Sequence, residues 1–189
     1  MKTHAPLKRL RQAMMAACAT LLTSCASQNL PAIATVPQVD LQRFMGDWYV
    51  IACIPTAIET EAYNAVESYR LLEDGTIDTV FTFRSGSIDG KPKRYNPHGF
   101  VQPGTGNALW GMQFIWPIKA EYRIAYLNPD YTQTVIARNA RDYVWIMART
   151  PSVSDSDYQR LVKFVADLGY DTAKLRKVPQ DWTLSPERK

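Results

Sequence analysis

The sequence predicts an all-β fold: an eight-stranded antiparallel up-and-down β-barrel with one C-terminal α-helix packed outside it. Three observations carry this expectation. From Asp40 to Thr150 the chain runs in short stretches of alternating apolar and polar residues, broken by turn residues. The stretches number eight, enough to close into a barrel that has no exposed edge and holds one small ligand. A single amphipathic segment, SDSDYQRLVKFVADLGY (154–170), follows them, and its apolar face needs a surface to lie on. The 189 residues suit one such domain.

The elements follow in chain order. A basic stretch with Lys2, Lys8, Arg9 and Arg11 precedes the apolar run AMMAACATLL (13–22), which is too short to span a bilayer as a mature helix. The run ends in LTSC (22–25), which resembles the bacterial lipobox. That resemblance implies a signal peptide over 1–24, diacylglyceryl attachment to Cys25 and an anchored chain, since each buried acyl CH₂ contributes about 0.8 kcal/mol. By resemblance to lipoprotein sorting, Ala26 in place of an Asp implies the outer membrane; the periplasmic side is a separate expectation, which Ala26 does not decide. Residues 25–39 hold two Pro and no charge, and are expected to form a flexible tether.

Strands are expected near 47–54, 63–72, 76–84, 92–102, 107–116, 119–128, 132–138 and 142–149. The breaks are EDG (73–75), SIDG (87–90), PGTGN (103–107), Pro117, NPD (128–130) and NARD (139–142). Thr150-Pro151 stops the last strand. Ser154 and Asp157 form a capping box with Asp in the usual Glu place, and Asp155 and Asp157 suit the positive end of the helix dipole. Tyr158, Leu161, Val162, Val165 and Leu168 share one face, and Gly169 can end the helix. A short extended piece is expected at 174–178. The barrel domain is thus expected over 40–182, with a tail over 183–189.

Charge and cysteine usage exclude several classes. Of 22 basic residues, four lie in the first 24 positions, leaving 18 against 18 acidic residues. The formal +4 therefore belongs to the leader, and no nucleic-acid partner is expected. Cys18 departs with the leader and Cys25 is the lipidation site, so Cys53 has no partner for an intrachain disulfide. Beyond residue 24 the only His is His98, no G-x-S-x-G occurs, and no Cys or His spacing suggests a metal. The chain is expected to have no catalytic residues, metal or cofactor.

GDW (46–48), NPDY (128–131) and the Arg of ART (149) resemble the three sequence blocks of the lipocalins, in consistent order from about Asp40 to Trp182. RDYVWIMARTPSVSD (141–155) is similar to the bacterial outer-membrane lipocalins and apolipoprotein D. The resemblance implies that Trp48 sits inside the closed end of the barrel with Arg149 packed across it, an Arg–indole contact worth roughly 0.5–2 kcal/mol. Gly46 lets the preceding turn cross that end closely. Gly46, Trp48 and Arg149 thus close the barrel and leave ligand binding to the other end.

Alternation assigns the lining. Val50 and Ala52 follow Trp48 inward. Phe81 and Phe83, with Ile77 and Thr79, oppose Asp78 and Arg84. Trp110, Met112 and Phe114 oppose Gly111 and Gln113, while Tyr122 and Tyr126, with Ile124, oppose Arg123. Trp145 shares the face of Arg149 with Met147 and Tyr143. Glu67 and Tyr69 oppose Arg70, and a buried Glu67 needs a hydrogen bond from a Tyr. Lys119 and Arg94 lie near turns, where solvated surface cations or anion contacts at the mouth are both expected.

An apolar, aromatic lumen suits an elongated hydrophobic ligand, a fatty acid or a lysophospholipid, stored or carried in the envelope. A homodimer is compatible with the sequence. Two alternatives stay open: an envelope assembly lipoprotein with a filled barrel, and a lipocalin-fold esterase or isomerase using His98.

Overall fold

The computed structural model of the chain describes residues 30–183. The leader, Cys25, the first part of the tether and tail residues 184–189 lie outside the described residues, and so does the lipidation expected at Cys25. No described helix is long and apolar enough to cross a membrane.

A one-turn helix, α1 (Leu41–Phe44), enters the barrel; Asp40 caps it by accepting from the Arg43 amide. The wall consists of β1 (Gly46–Ile54), β2 (Ala62–Leu71), β3 (Ile77–Ser85), β4 (Lys91–Tyr95), β5 (His98–Val101), β6 (Leu109–Ile115), β7 (Ile118–Leu127), β8 (Gln133–Ala137) and β9 (Val144–Ala148). Neighbours are antiparallel, and β1 pairs with β9 to close the wall. The expected fourth strand is two strands, because Asn96-Pro97 interrupts it and Pro97 has no N–H to give the ladder. Counting β4 and β5 as one stave, the barrel has eight.

Outside lies α2 (Asp155–Asp167), capped as expected. Ser154 accepts from the Asp157 amide at 3.1 Å and donates to the Asp157 carboxylate at 2.9 Å. Gly169, at φ +89°, follows its end. Leu161 and Val165 pack with Ile51, Ile54, Val135 and Ile146 in an outer core between helix and wall. The inner core fills the barrel base with Phe44, Trp48, Val50, Tyr69, Trp110, Ile124 and Met147. After a 3₁₀ turn (Thr172–Lys174), β10 (Arg176–Lys177) pairs with β1. Direct β1–β2 pairing covers only Gly46 to Tyr49. Above it the C-terminal segment fills the gap: Asn64 donates to Pro179 O, and Gln180 Nε2 reaches the carbonyls of Val50 and Ala65.

The tether expectation is corrected from Ile33 onward. Ile33 and Val39 are buried, Arg123 Nη1 donates to Ile33 O at 2.9 Å, and Val36 N donates to Ile124 O. Uncharged and punctuated by β-branched residues, this stretch gains more by packing on the wall than by staying solvated.

At the closed end, Arg149 lies with its guanidinium carbon 3.9 Å from the Trp48 ring centroid. Its nitrogens donate to the carbonyls of Asp47 (2.8 Å), Arg43 (2.8 Å), Phe44 (2.9 Å) and Tyr131 (3.2 Å). Trp48 Nε1 donates to Phe44 O at 2.9 Å. Gly46 has φ +93°, and a Cβ there would stand 3.4 Å from Arg149 Nη1. One guanidinium thus ties together α1, the start of β1 and the β7–β8 turn.

Arg149→Ala leaves those carbonyls without their common donor. The expected loss is about 3 kcal/mol, read from the urea midpoint at unchanged slope.

Candidate functional site

The strand arrangement leaves the upper half of the barrel unfilled. A cavity of about 400 Å³ opens there, lined by side chains of β2, β3, β6, β7 and β9, the β4–β5 break and the β1–β2 and β8–β9 loops. Below it, Trp110 stacks on Tyr122 at 5.0 Å and meets Phe44 and Tyr69 edge-on, forming an aromatic layer that separates cavity from floor.

Of the side chains the sequence assigns to the lumen, Glu67, Phe81, Met112, Phe114, Tyr122 and Trp145 line the cavity together. Val50, Tyr69 and Trp110 belong to the packed layer beneath. Phe83 points inward and stacks on Tyr95, beside the cavity. Two assignments are corrected. Ala52 faces outward under α2 because β1 has a bulge between Val50 and Ala52, which also turns Cys53 into the interior. Tyr126 faces outward because β7 is bulged between Ile124 and Tyr126; it packs on Phe164 and accepts from Arg160 at 2.8 Å. In both strands the extra residue inverts the alternation beyond it.

The cavity is apolar except for a few polar groups. Glu67 accepts from Tyr69 Oη, and Tyr69 in turn meets Tyr122 Oη at 2.7 Å. Burial pushes the Glu67 carboxyl up to about 7 despite the Tyr69 hydrogen bond, and the two tyrosines are raised well above their ordinary range. The accessible surface that Glu67 retains faces the cavity.

A second carboxyl, Glu59, descends from the β1–β2 loop. It accepts from Trp145 Nε1 at 3.2 Å and from the Thr56 amide at 3.0 Å, and burial raises its pKa against those bonds. Alternation could not locate a loop residue, although the Thr56-x-x-Glu59 spacing is that of a local side-chain–backbone cap. Ile58, Tyr95, Pro97, Ile115 and Ala120 are among the other lining residues that alternation missed. At the rim, Arg138 lines the cavity with its guanidinium 5.2 Å from the Tyr143 ring, and its buried Nε is ion-paired with Asp142 Oδ1 at 3.4 Å.

The remaining candidates lie elsewhere. Lys119 sits on the outer surface with its ammonium 3.4 Å from the Phe100 ring centroid. Arg94 is exposed and donates to Asn96. His98 is hydrogen-bonded to Thr76 Oγ1 at 2.8 Å and is not among the cavity residues. Cys53 is a free, buried thiol whose pKa burial raises, so it is a poor nucleophile. Among the described residues no group of three His, Cys, Asp or Glu could hold a metal.

A lipocalin-like domain model matches residues 39–180, the span of this barrel. The chain is a lipocalin. It is 31% identical over 162 residues to temperature-induced lipocalin-1 of Arabidopsis thaliana, covering 78% of this chain and 83% of that one. It is 27% identical over 176 residues to the outer membrane lipoprotein Blc of Escherichia coli K12, covering 87% and 93%. Among solved structures, insecticyanin from the tobacco hornworm Manduca sexta superposes with a TM-score of 0.61 at 15% identity, covering 78% of this chain and 84% of that one. That likeness supports the lipocalin fold of the chain.

Glu67 makes stability depend on pH. Between its ordinary 4.5 and about 7, the folded lipocalin keeps a proton that the unfolded chain releases, so stability falls as pH rises through this window and the loss is complete above it. Glu67→Gln is therefore expected to gain about 3 kcal/mol relative to wild type between pH 4.5 and 8.5, read from urea titrations at both pH values.

Proposed function

We propose that this lipocalin binds a single-chain lipid, a fatty acid or a lysophospholipid, and stores or carries it while anchored through Cys25 to the outer membrane on its periplasmic side. The observation that carries the reading is the half-filled barrel: an apolar cavity of about 400 Å³ above a sealed floor. Its volume falls in the roughly 300–1,000 Å³ range of small-molecule sites. Blc, a relative that aligns over most of both chains, bears the description outer membrane lipoprotein. That description and the LTSC motif support the anchoring.

Binding on this reading is burial without chemistry. The acyl chain lies against Phe81, Met112, Tyr122 and Trp145, and burial contributes roughly 25 cal/mol per Å² of apolar area, offset by the cost of ordering. Orientation follows from charge. Glu67 and Glu59 make the interior unsuitable for a carboxylate or phosphate, so the chain enters tail first. The head group then stays at the rim, where the Arg138 guanidinium, ion-paired through Nε with Asp142, is the cation that lines the cavity.

Native purification followed by lipid extraction and mass spectrometry is expected to return single-chain lipids with acidic heads; an empty barrel that also refuses added lipid would sink the proposal. In titrations with a fluorescent fatty acid, Met112→Trp is expected to weaken binding by filling the cavity. Arg138→Leu is expected to weaken it about tenfold through loss of the charged hydrogen bond, while leaving a fluorescent long-chain alcohol bound as in wild type.

A further inference from the structure

The open end presents an apolar surface that folding does not bury. At the β6–β7 hairpin tip, Ile115 is 72% exposed, Trp116 83% and Ile118 68%. Phe114 beneath them is half exposed, and Ile58 on the β1–β2 loop is 42% exposed. Scattered exposed apolar residues are ordinary, but consecutive large ones at a single tip mark an interaction surface.

The wall beside this tip is unzipped. β5–β6 pairing reaches no higher than His98 with Gln113, and β4 pairs only with β3. The cavity therefore borders a seam with Tyr95 and Pro97 on one side and Phe114 and Ile115 on the other. Across the seam, residues 84–94 hold Arg84, Lys91, Lys93 and Arg94 against a single acid, Asp89. By strand register, Lys93 lies opposite Phe83 and shares the face of β4 that carries Tyr95 into the cavity.

We propose that the open end is a membrane-docking face. The Ile115–Ile118 tip inserts among acyl chains, and the basic β3–β4 arm lies against anionic head groups. The charge pattern selects this occupant. A tip of bare Ile and Trp beside a cationic arm complements an anionic bilayer, which offers an apolar layer under a negative one. A second copy of this face would bring the same cations together. Docked in this way, the seam faces the bilayer, and a single acyl chain reaches the cavity without crossing water. This inference extends the lipid-binding proposal but is tested separately from it.

The test uses the full chain on vesicles of phosphatidylglycerol and phosphatidylethanolamine with brominated acyl chains, so that anything residues 1–29 contribute is common to every variant. Bromine within the acyl region is expected to quench tryptophan emission, and Trp116→Phe should remove the quenched component. Ile115→Ser/Ile118→Ser should weaken the quenching about tenfold, because two apolar anchors are lost at solvent-exposed positions that the fold does not need. Lys91→Gln/Lys93→Gln should abolish the preference for these vesicles over brominated phosphatidylcholine. Undiminished quenching in the double Ile variant, or no quenching in wild type, would overturn the proposal. So would a concentration-dependent dimer abolished by Ile115→Ser/Ile118→Ser, which would assign the tip to a second copy. Ile118 lies outside the cavity lining, so mass spectrometry of lipid bound to Ile118→Ser reports on the cavity alone, and failure of that proposal is thereby distinguished from failure of this one.

Discussion

Everything above the barrel floor depends on the contact between Arg149 and Trp48. An eight-stranded wall closed by β1–β9 pairing still has an open base, and an unplugged base would admit water to the inner core. The indole fills that base, and the guanidinium across it collects carbonyls from three otherwise separate stretches of chain. Because Arg stays charged at any working pH and presents several donors in one plane, a single side chain can do this where Lys could not. Sealing one end makes the other end the only axial entrance. Asymmetry of the ends is thus the first condition for a binding cup.

The second condition is incomplete filling. The lower half is packed by large aromatics in contact with one another, and the upper half has side chains that reach across only partly. A buried carboxyl stands between the two. Glu67 is tolerated because Tyr69, itself hydrogen-bonded to Tyr122, donates to it, and its raised pKa keeps it largely neutral in mildly acidic surroundings. It also fixes polarity inside an otherwise featureless pocket, favouring the tail of an amphiphile over its charged head.

How much of this was legible in the sequence follows from which physical signals are local. Alternation and turn residues located all eight staves, and the resemblance of G-x-W and the distant Arg to the lipocalin blocks located the floor. The capping Ser and Asp of α2 were equally plain. Alternation failed at Ala52 and Tyr126, where a single bulge residue flips the face of everything after it and leaves no mark in the hydrophobic pattern. It also missed Glu59, whose position depends on how a loop folds back over the mouth. Glu67 was legible because an acid among inward positions demands a partner, and Tyr69, two residues on, supplies one.

The seam between β4 and β6 has a consequence for solubility. An unpaired strand edge is a template onto which any extended chain can hydrogen-bond, and proteins that expose one risk growing fibres through it. Here the strand on one side reads KPKRY (91–95). Pro92 removes one backbone donor, and repelling cations stand at 91, 93 and 94, so a second strand of the same kind cannot add to it. The opening beside the cavity is therefore closed to a second strand of the same kind, and a permanently split wall does not by itself template polymerisation.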